Sequence, residues 1–164
     1  MPKLRKHKKV LLVFLGAVLF VFLLYNVLWF MNYKAYEKFI DDEYIKSPYS
    51  STSFSKRLGE STYTVKKPAY LQLTGNIAID NVDSSVSIII WPSFMLKSIK
   101  DYGLMLYDTE KDRGYMFYVD ENMNYDTKNR TGIPEDSESN AKDLLNRLQG
   151  EVDKQYKLIR SEFF

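Results

Sequence analysis

Twenty-two consecutive positions, 10–31 (VLLVFLGAVLFVFLLYNVLWFM), carry no charge, and no other feature of the chain constrains its fold as strongly. As an α-helix rising about 1.5 Å per residue, the run is about 33 Å long, against about 30 Å for the hydrocarbon core of a bilayer. The run therefore predicts a transmembrane helix over 10–31. Ahead of it, residues 1–9 (MPKLRKHKK) hold Lys3, Arg5, Lys6, Lys8 and Lys9 and no acid. Beyond it come Lys34 and Lys38, then Asp41, Asp42 and Glu43. Basic residues near a span end stay on the cytoplasmic side. The asymmetry thus predicts a single-pass protein of the cell membrane, with a cytoplasmic tail and its C-terminal domain outside. Trp29, Tyr33 and Tyr36 fall where an interfacial aromatic belt is expected.

A cleaved signal peptide also begins basic and then turns apolar, but its apolar core usually spans only about 7–15 residues. This run is longer, and its end, Asn26-Val27-Leu28-Trp29-Phe30, leaves no small-x-small cleavage site. No cysteine is present to accept a lipid. An uncleaved anchor is the reading that follows.

Net charge divides the chain. Its tail holds five of the 23 basic residues, so residues 32–164 carry 18 against all 21 acidic ones, a net −3. A domain of that balance has no electrostatic footprint for nucleic acid, and charges beside a span are what topology alone requires. The one histidine, His7, lies in the solvated tail. Lack of cysteine excludes disulfides, thiol nucleophiles and thiolate metal sites. An outward-facing domain that needs no oxidative folding suits a bacterial cell envelope. Aromatics are abundant: 19 of the 133 residues after position 31 are Tyr, Phe or Trp. That number is enough to supply both a core and a contact surface.

Four segments are expected: a cytoplasmic tail (1–9), a span (10–31), an amphipathic stalk and linker (32–62) and an extracytoplasmic domain (63–164). Tyr33, Tyr36, Ile40 and Tyr44 recur at helical spacing, which predicts a stalk helix ending near Ser47-Pro48. Residues 46–62 lack periodicity and read as a loop, partly ordered by Phe54 and Leu58. Alternation over 70–80 predicts a strand with Leu71, Leu73, Ile77 and Ile79 on one side. A turn at Asn81-Val82-Asp83-Ser84 leads to a strand over 86–91, which Pro92 interrupts, and 94–102 fits either helix or strand. GLMLYD (103–108) and YMFYVD (115–120) form a hairpin with Gly114 available for positive φ. A polar loop over 121–136 contains Gly132 and Pro134. Ser137 or Ser139 then caps a helix over about 139–162. Its stripe is Ala141, Leu145, Leu148, Val152, Gln155 or Tyr156, Ile159 and Phe163, and Gly150 marks a bend. The fold class is α+β: a three- to five-stranded antiparallel sheet with the C-terminal helix packed across one face.

Little of the chain carries chemistry. Ser53-x-x-Lys56 has the spacing of a Ser/Lys nucleophile motif but no companion segments. Asp108, Glu110 and Asp112 alternate in the hairpin turn, and Asp120, Asn122, Asn124 and Asp126 in the next loop. The second set starts like a calcium loop but has Tyr125 where Gly is needed and Thr131 where a bidentate Glu is needed. Asn129-Arg130-Thr131 matches a glycosylation acceptor, which would be silent in most bacteria. No cofactor site is expected, and the layout identifies no family.

The hairpin is the place where the pattern points to function. Both of its faces are apolar or aromatic, whereas a solvated face should be polar. Met105, Tyr107, Tyr115, Phe117, Met116 and Tyr118 are therefore the candidate interaction residues. The function expected is a membrane-anchored extracytoplasmic interaction domain, an accessory component of a bacterial envelope or secretion assembly. Its partners would be the bilayer, through 10–31, and a membrane or envelope protein. The alternatives are an extracytoplasmic sensory or regulatory module, against which the lack of a cytoplasmic output domain counts, and an anchored carboxylate-dependent hydrolase using Asp108, Glu110 and Asp112.

Overall fold

A computed structural model of the chain describes residues 2–83, 85–126 and 137–164. The glycosylation-like Asn129-Arg130-Thr131, Thr131 of the calcium-loop comparison, Gly132, Pro134 and Ser84 of the expected turn lie outside those residues. Helix α1 covers Pro2–Ala35 without interruption. It is long and apolar enough to cross a membrane, and its most apolar stretch is not buried against the protein. A signal sequence near an N-terminus can also be long and apolar enough to meet that requirement.

The stretch after α1 is core rather than stalk. The helix stops at Ala35, one turn of 3-10 helix follows over Tyr36–Phe39, and the chain turns onto the sheet. Tyr36, Phe39 and Tyr44 are buried, while Tyr33 and Ile40 are half-buried. The helical spacing of these aromatics was therefore real at its start and lost its meaning where the helix ended. Tyr36 leaves the expected aromatic belt as well: its side chain is fully buried and its Oη accepts the Gly75 N–H at 3.0 Å.

Seven strands form one open antiparallel sheet in sequence order: β1 (Ile45–Lys46), β2 (Ser53–Leu58), β3 (Ser61–Lys66), β4 (Asn76–Asn81), β5 (Val86–Pro92), β6 (Ile99–Asp108) and β7 (Arg113–Val119). The expected three to five strands fall short because 46–62 is not a loop. Ser and Thr fill the solvent-side positions of β2 and β3, so their alternation pairs polar with polar and hides the period: Ser55 sits opposite Thr64, with their hydroxyls 3.0 Å apart. Strand β4 starts at Asn76, later than expected, and the residues before it form a loop against α1. Gly75 explains the change, because a Cβ there would lie 1.9 Å from the Lys66 carbonyl oxygen. In the hairpin, positive φ falls on Asp112 and not on Gly114.

Helix α2 (Glu138–Phe163) continues as one helix through Gly150 and crosses the face built by β4, β5 and β6. It buries Ala141, Leu144, Leu145, Val152, Gln155, Ile159 and Phe163 against Ile77, Ile79, Val86, Ile88, Ile90, Leu104 and Leu106. Each fully buried Val, Leu, Ile or Phe among them contributes about 1.5–3 kcal/mol relative to exposure. Leu148 and Tyr156 of the expected stripe are only partly buried. Gln155, the one polar member, is fully buried and accepts the Ser61 hydroxyl at 3.1 Å while donating to Glu151 at 2.9 Å.

Two lysines lock the post-helix segment onto this core. Lys56, buried on β2, meets Glu162 at 2.6 Å and Asp41 at 2.9 Å and lies 4.9 Å from the Tyr44 ring centroid. Lys67, also buried, reaches Glu37 at 3.1 Å between the rings of Tyr33 and Phe54. Phe39 closes the same end edge-on to Phe163, 5.4 Å between centroids. Burial alone would lower the Lys56 ammonium, but the Glu162 and Asp41 carboxylates outweigh it and hold it above the usual lysine range. Burial also raises the phenols of Tyr36, Tyr44 and Tyr63, and burial with a Tyr156 hydrogen bond pushes Tyr102 up to about 12.

Asn32 ties α1 to two loops at once: its amide donates to the Leu73 carbonyl, and its Oδ1 accepts the Met95 N–H at 2.7 Å. Asn32→Ala removes both of these partly buried hydrogen bonds, a loss of about 1–3 kcal/mol. Chemical unfolding in detergent should read that loss, with faster amide exchange at Met95. The tyrosines give a second expectation. Their raised pKa values leave the associated stability complete below the unfolded value of about 10. That stability falls as the pH climbs through the folded values, because the unfolded chain releases protons that the fold retains. Tyrosinate absorbance should therefore rise in two stages, the later one, from these four raised phenols, coinciding with loss of the sheet. A single stage near pH 10 with the sheet intact would contradict the burial.

Candidate interaction surface

Alternation assigns every strand residue to one of two faces. Leu104, Leu106, Tyr115, Phe117 and Val119 point to α2 and are buried. Tyr115 and Phe117, expected among the interaction residues, therefore belong to the core and not to a surface. Phe117 is closed off further by Tyr125, 5.4 Å away between centroids. The remaining four candidates share the outer face: Met105 is 40% exposed, Tyr107 37% and Met116 46%, and Tyr118 is half-buried. Met105 and Met116 are direct cross-strand partners.

Sequence reasoning missed the third strand of this patch. Ile89 and Trp91 of β5 face outward beside the hairpin and are half-buried. Gly103 is paired with Ile89 and leaves room for the Trp91 indole, whose ring carbons lie 2.6 Å from where a Cβ would stand. The indole lies flat enough there to reach Tyr118, 5.6 Å between centroids at an interplanar angle of 39°. A glycine inside a strand is a signal of close approach by another group, and it would have pointed to Trp91. The outer face is thus split. Its β2–β4 half carries Ser55, Thr62, Thr64, Ala78 and Asp80, and its β5–β7 half carries Ile89, Trp91, Met105, Tyr107, Met116 and Tyr118.

The polar candidates are taken up locally. Asp108, buried, accepts the Glu110 N–H at 3.1 Å and the Arg147 guanidinium at 3.1 Å, and Arg147 also reaches Glu110 at 3.4 Å. Asp112 accepts the Tyr107 hydroxyl, a contact that raises the Tyr107 phenol. Asp120 Oδ1 accepts the N–H groups of Asn122 and Asn124 at 2.8 and 2.9 Å, which lowers its carboxyl below the usual range against the opposing effect of burial. Among the described residues, no group of three or more His, Cys, Asp or Glu is placed to hold a metal ion. Ser53 and Lys56 sit on opposite faces of β2, and the Lys56 ammonium is engaged by carboxylates, so the two do not form a dyad. The chain matches no family model, no curated protein and no solved structure.

Trp91 gives a direct check on this surface. Gly103→Ala should displace the indole outward without touching the core, so unfolding free energy should change by about 1 kcal/mol or less. Acrylamide quenching of tryptophan emission should increase. Unchanged quenching would mean that Trp91 does not lie over Gly103.

Proposed function

We propose that this chain is a membrane-anchored interaction domain held outside the cytoplasm by α1, an accessory component of a bacterial envelope or secretion assembly. One observation carries the reading: the β5–β7 half of the outer sheet face presents Trp91, Met105, Tyr107, Met116 and Tyr118 side by side, with Met105, Tyr107 and Met116 exposed and Trp91 and Tyr118 half-buried. Met and aromatic residues are enriched in interface cores, and contiguous exposed apolar patches usually mark interaction sites. The anchor reading rests on the length and composition of α1, and the orientation on the five tail charges.

The partner is a protein of the same membrane or envelope. A photo-crosslinking residue in place of Met116 should trap one discrete species in intact membranes, and the same residue in place of Arg57, on the polar half, should not. Met105→Asp should abolish that adduct and leave the protein folded and in the membrane fraction. Equal crosslinking from positions 57 and 116, or an adduct that survives Met105→Asp, would overturn the assignment of this face. For the orientation, a reporter active only outside the cytoplasm should work when fused after Phe164 and fail at the N-terminus.

A further inference from the structure

Helix α1 presents Asn26, Trp29 and Asn32 along one side, Tyr36 of the following 3-10 turn continues that side, and a single loop, residues 67–75, descends it. Gly75 meets Tyr36, Leu73 meets Asn32, the Ala69 carbonyl accepts the Trp29 indole N–H at 2.9 Å, and the Tyr70 hydroxyl donates to Asn26 Oδ1 at 3.0 Å. The loop thus reaches down to a helix position five residues inside the uncharged run that ends at Met31, a depth of about 7–8 Å at 1.5 Å per residue. If the run lies in the hydrocarbon, the tip of this loop is inside the bilayer interface.

The tip is built for that place. The Gln72 N–H donates to the Ala69 carbonyl at 2.9 Å, closing a turn with Tyr70 and Leu71 at its centre. Leu71 has φ +68, a left-handed conformation that suits glycine and disfavours a branched side chain. Nothing among the described residues packs over it: Leu71 is 63% exposed, Tyr70 53%, and Leu73 is also exposed. The second loop held by Asn32 also has positive φ, at Met95 and Leu96, but these side chains are half-buried. The Tyr70 ring stands edge-on to Trp29, 5.3 Å between centroids, and Trp29 in turn lies against Tyr33. Aromatic groups with one polar tip favour the interfacial zone. Lys66 and Lys97 flank the two loops, exposed and without an ion pair among the described residues.

We propose that the tip Tyr70–Leu73 is a lipid seat: it inserts into the outer interface of the bilayer beside α1 and makes a second membrane contact that fixes the domain's tilt and rotation. The inference rests on the anchor reading of α1. Amphipathic groups that enter the interface typically bury about 5–10 Å deep, which matches the depth set by the Asn26 contact.

Because the chain has no cysteine, single cysteines carry unique spin labels. The full chain would be reconstituted into vesicles of phosphatidylethanolamine and phosphatidylglycerol with Leu71→Cys, Val18→Cys in the apolar run, or Leu58→Cys at the β2–β3 turn. Collision with oxygen and with a water-soluble nickel chelate reports depth. The label at 71 should be severalfold less accessible to nickel than the label at 58, and open to oxygen as at 18. A label at 71 as open to nickel as the one at 58, with 18 still in lipid, overturns the lipid seat and leaves the anchor standing. Water exposure at 18 overturns the anchor itself. A label at 71 shielded from both reagents is covered by protein, which also overturns the proposal.

Discussion

The buried amide of Asn32 is the contact on which the layout of the molecule depends. A side chain with donors and an acceptor can satisfy two backbone groups of opposite polarity at once, and Asn32 does so for Leu73 and Met95, which lie on loops from different parts of the sheet. An unpaired buried amide is destabilising, so the three segments must come together or none can be buried. That single residue joins the end of a long helix to the start of β4 and to the β5–β6 connection. Trp29, one turn earlier, and Tyr36, one turn later, repeat the link through Ala69 and Gly75. The helix therefore enters the domain as one of its structural members and not through a tether.

Once that end is fixed, the sheet has one face that must be covered and one that need not be. The covered face alternates large aliphatic residues across five strands, and two pieces cover it: α2 over the centre, and the segment 36–44 over the β2–β3 side. The join between these pieces is held by charge as well as by packing, through Lys56 between Asp41 and Glu162. A buried lysine is a weak source of net stability, because desolvation offsets much of the attraction. What it does well is specify arrangement: Asp41 and Glu162 lie 121 positions apart in the chain, and the one ammonium draws both to the same place.

Much of this was legible in the sequence. The apolar run, the α2 stripe, the alternation over 70–80 and the apolar strand-like runs of β5, β6 and β7 fixed the class and most elements. The failures have physical causes. In β2 and β3, Ser and Thr on the outer positions hid an alternation whose inner members, Phe54, Lys56, Tyr63 and Val65, include a lysine that periodicity counts as polar. Leu71 and Leu73 kept the alternation of β4 although the strand had not begun, since a loop pinned to α1 took their place. At the candidate surface the four outward residues of the hairpin followed from parity alone. Tyr115 and Phe117 were included only because the sequence does not say which face α2 would cover. Trp91 was missed because its contact with Gly103 crosses strands.

The two-sided character of the outer face follows from the same rigidity. A flexible stalk would let a patch sample many heights and orientations, and a partner would have to offset the entropy of stopping that motion. Here no such stalk exists between α1 and β4, so the apolar half of the sheet stands at a height set by the helix. Its Trp91–Tyr118 end lies toward α1, and its Tyr107 end about 13 Å further along the strands, at about 3.3 Å per residue over four residues. With α1 in a bilayer, such a patch meets only surfaces at that height above the same membrane. Confinement to the membrane raises the effective concentration of partners that share it. A modest apolar area then suffices for binding without making the free domain prone to associate in solution. The polar β2–β4 half fits this account, because Ser and Thr beside the patch limit contact to one direction of approach.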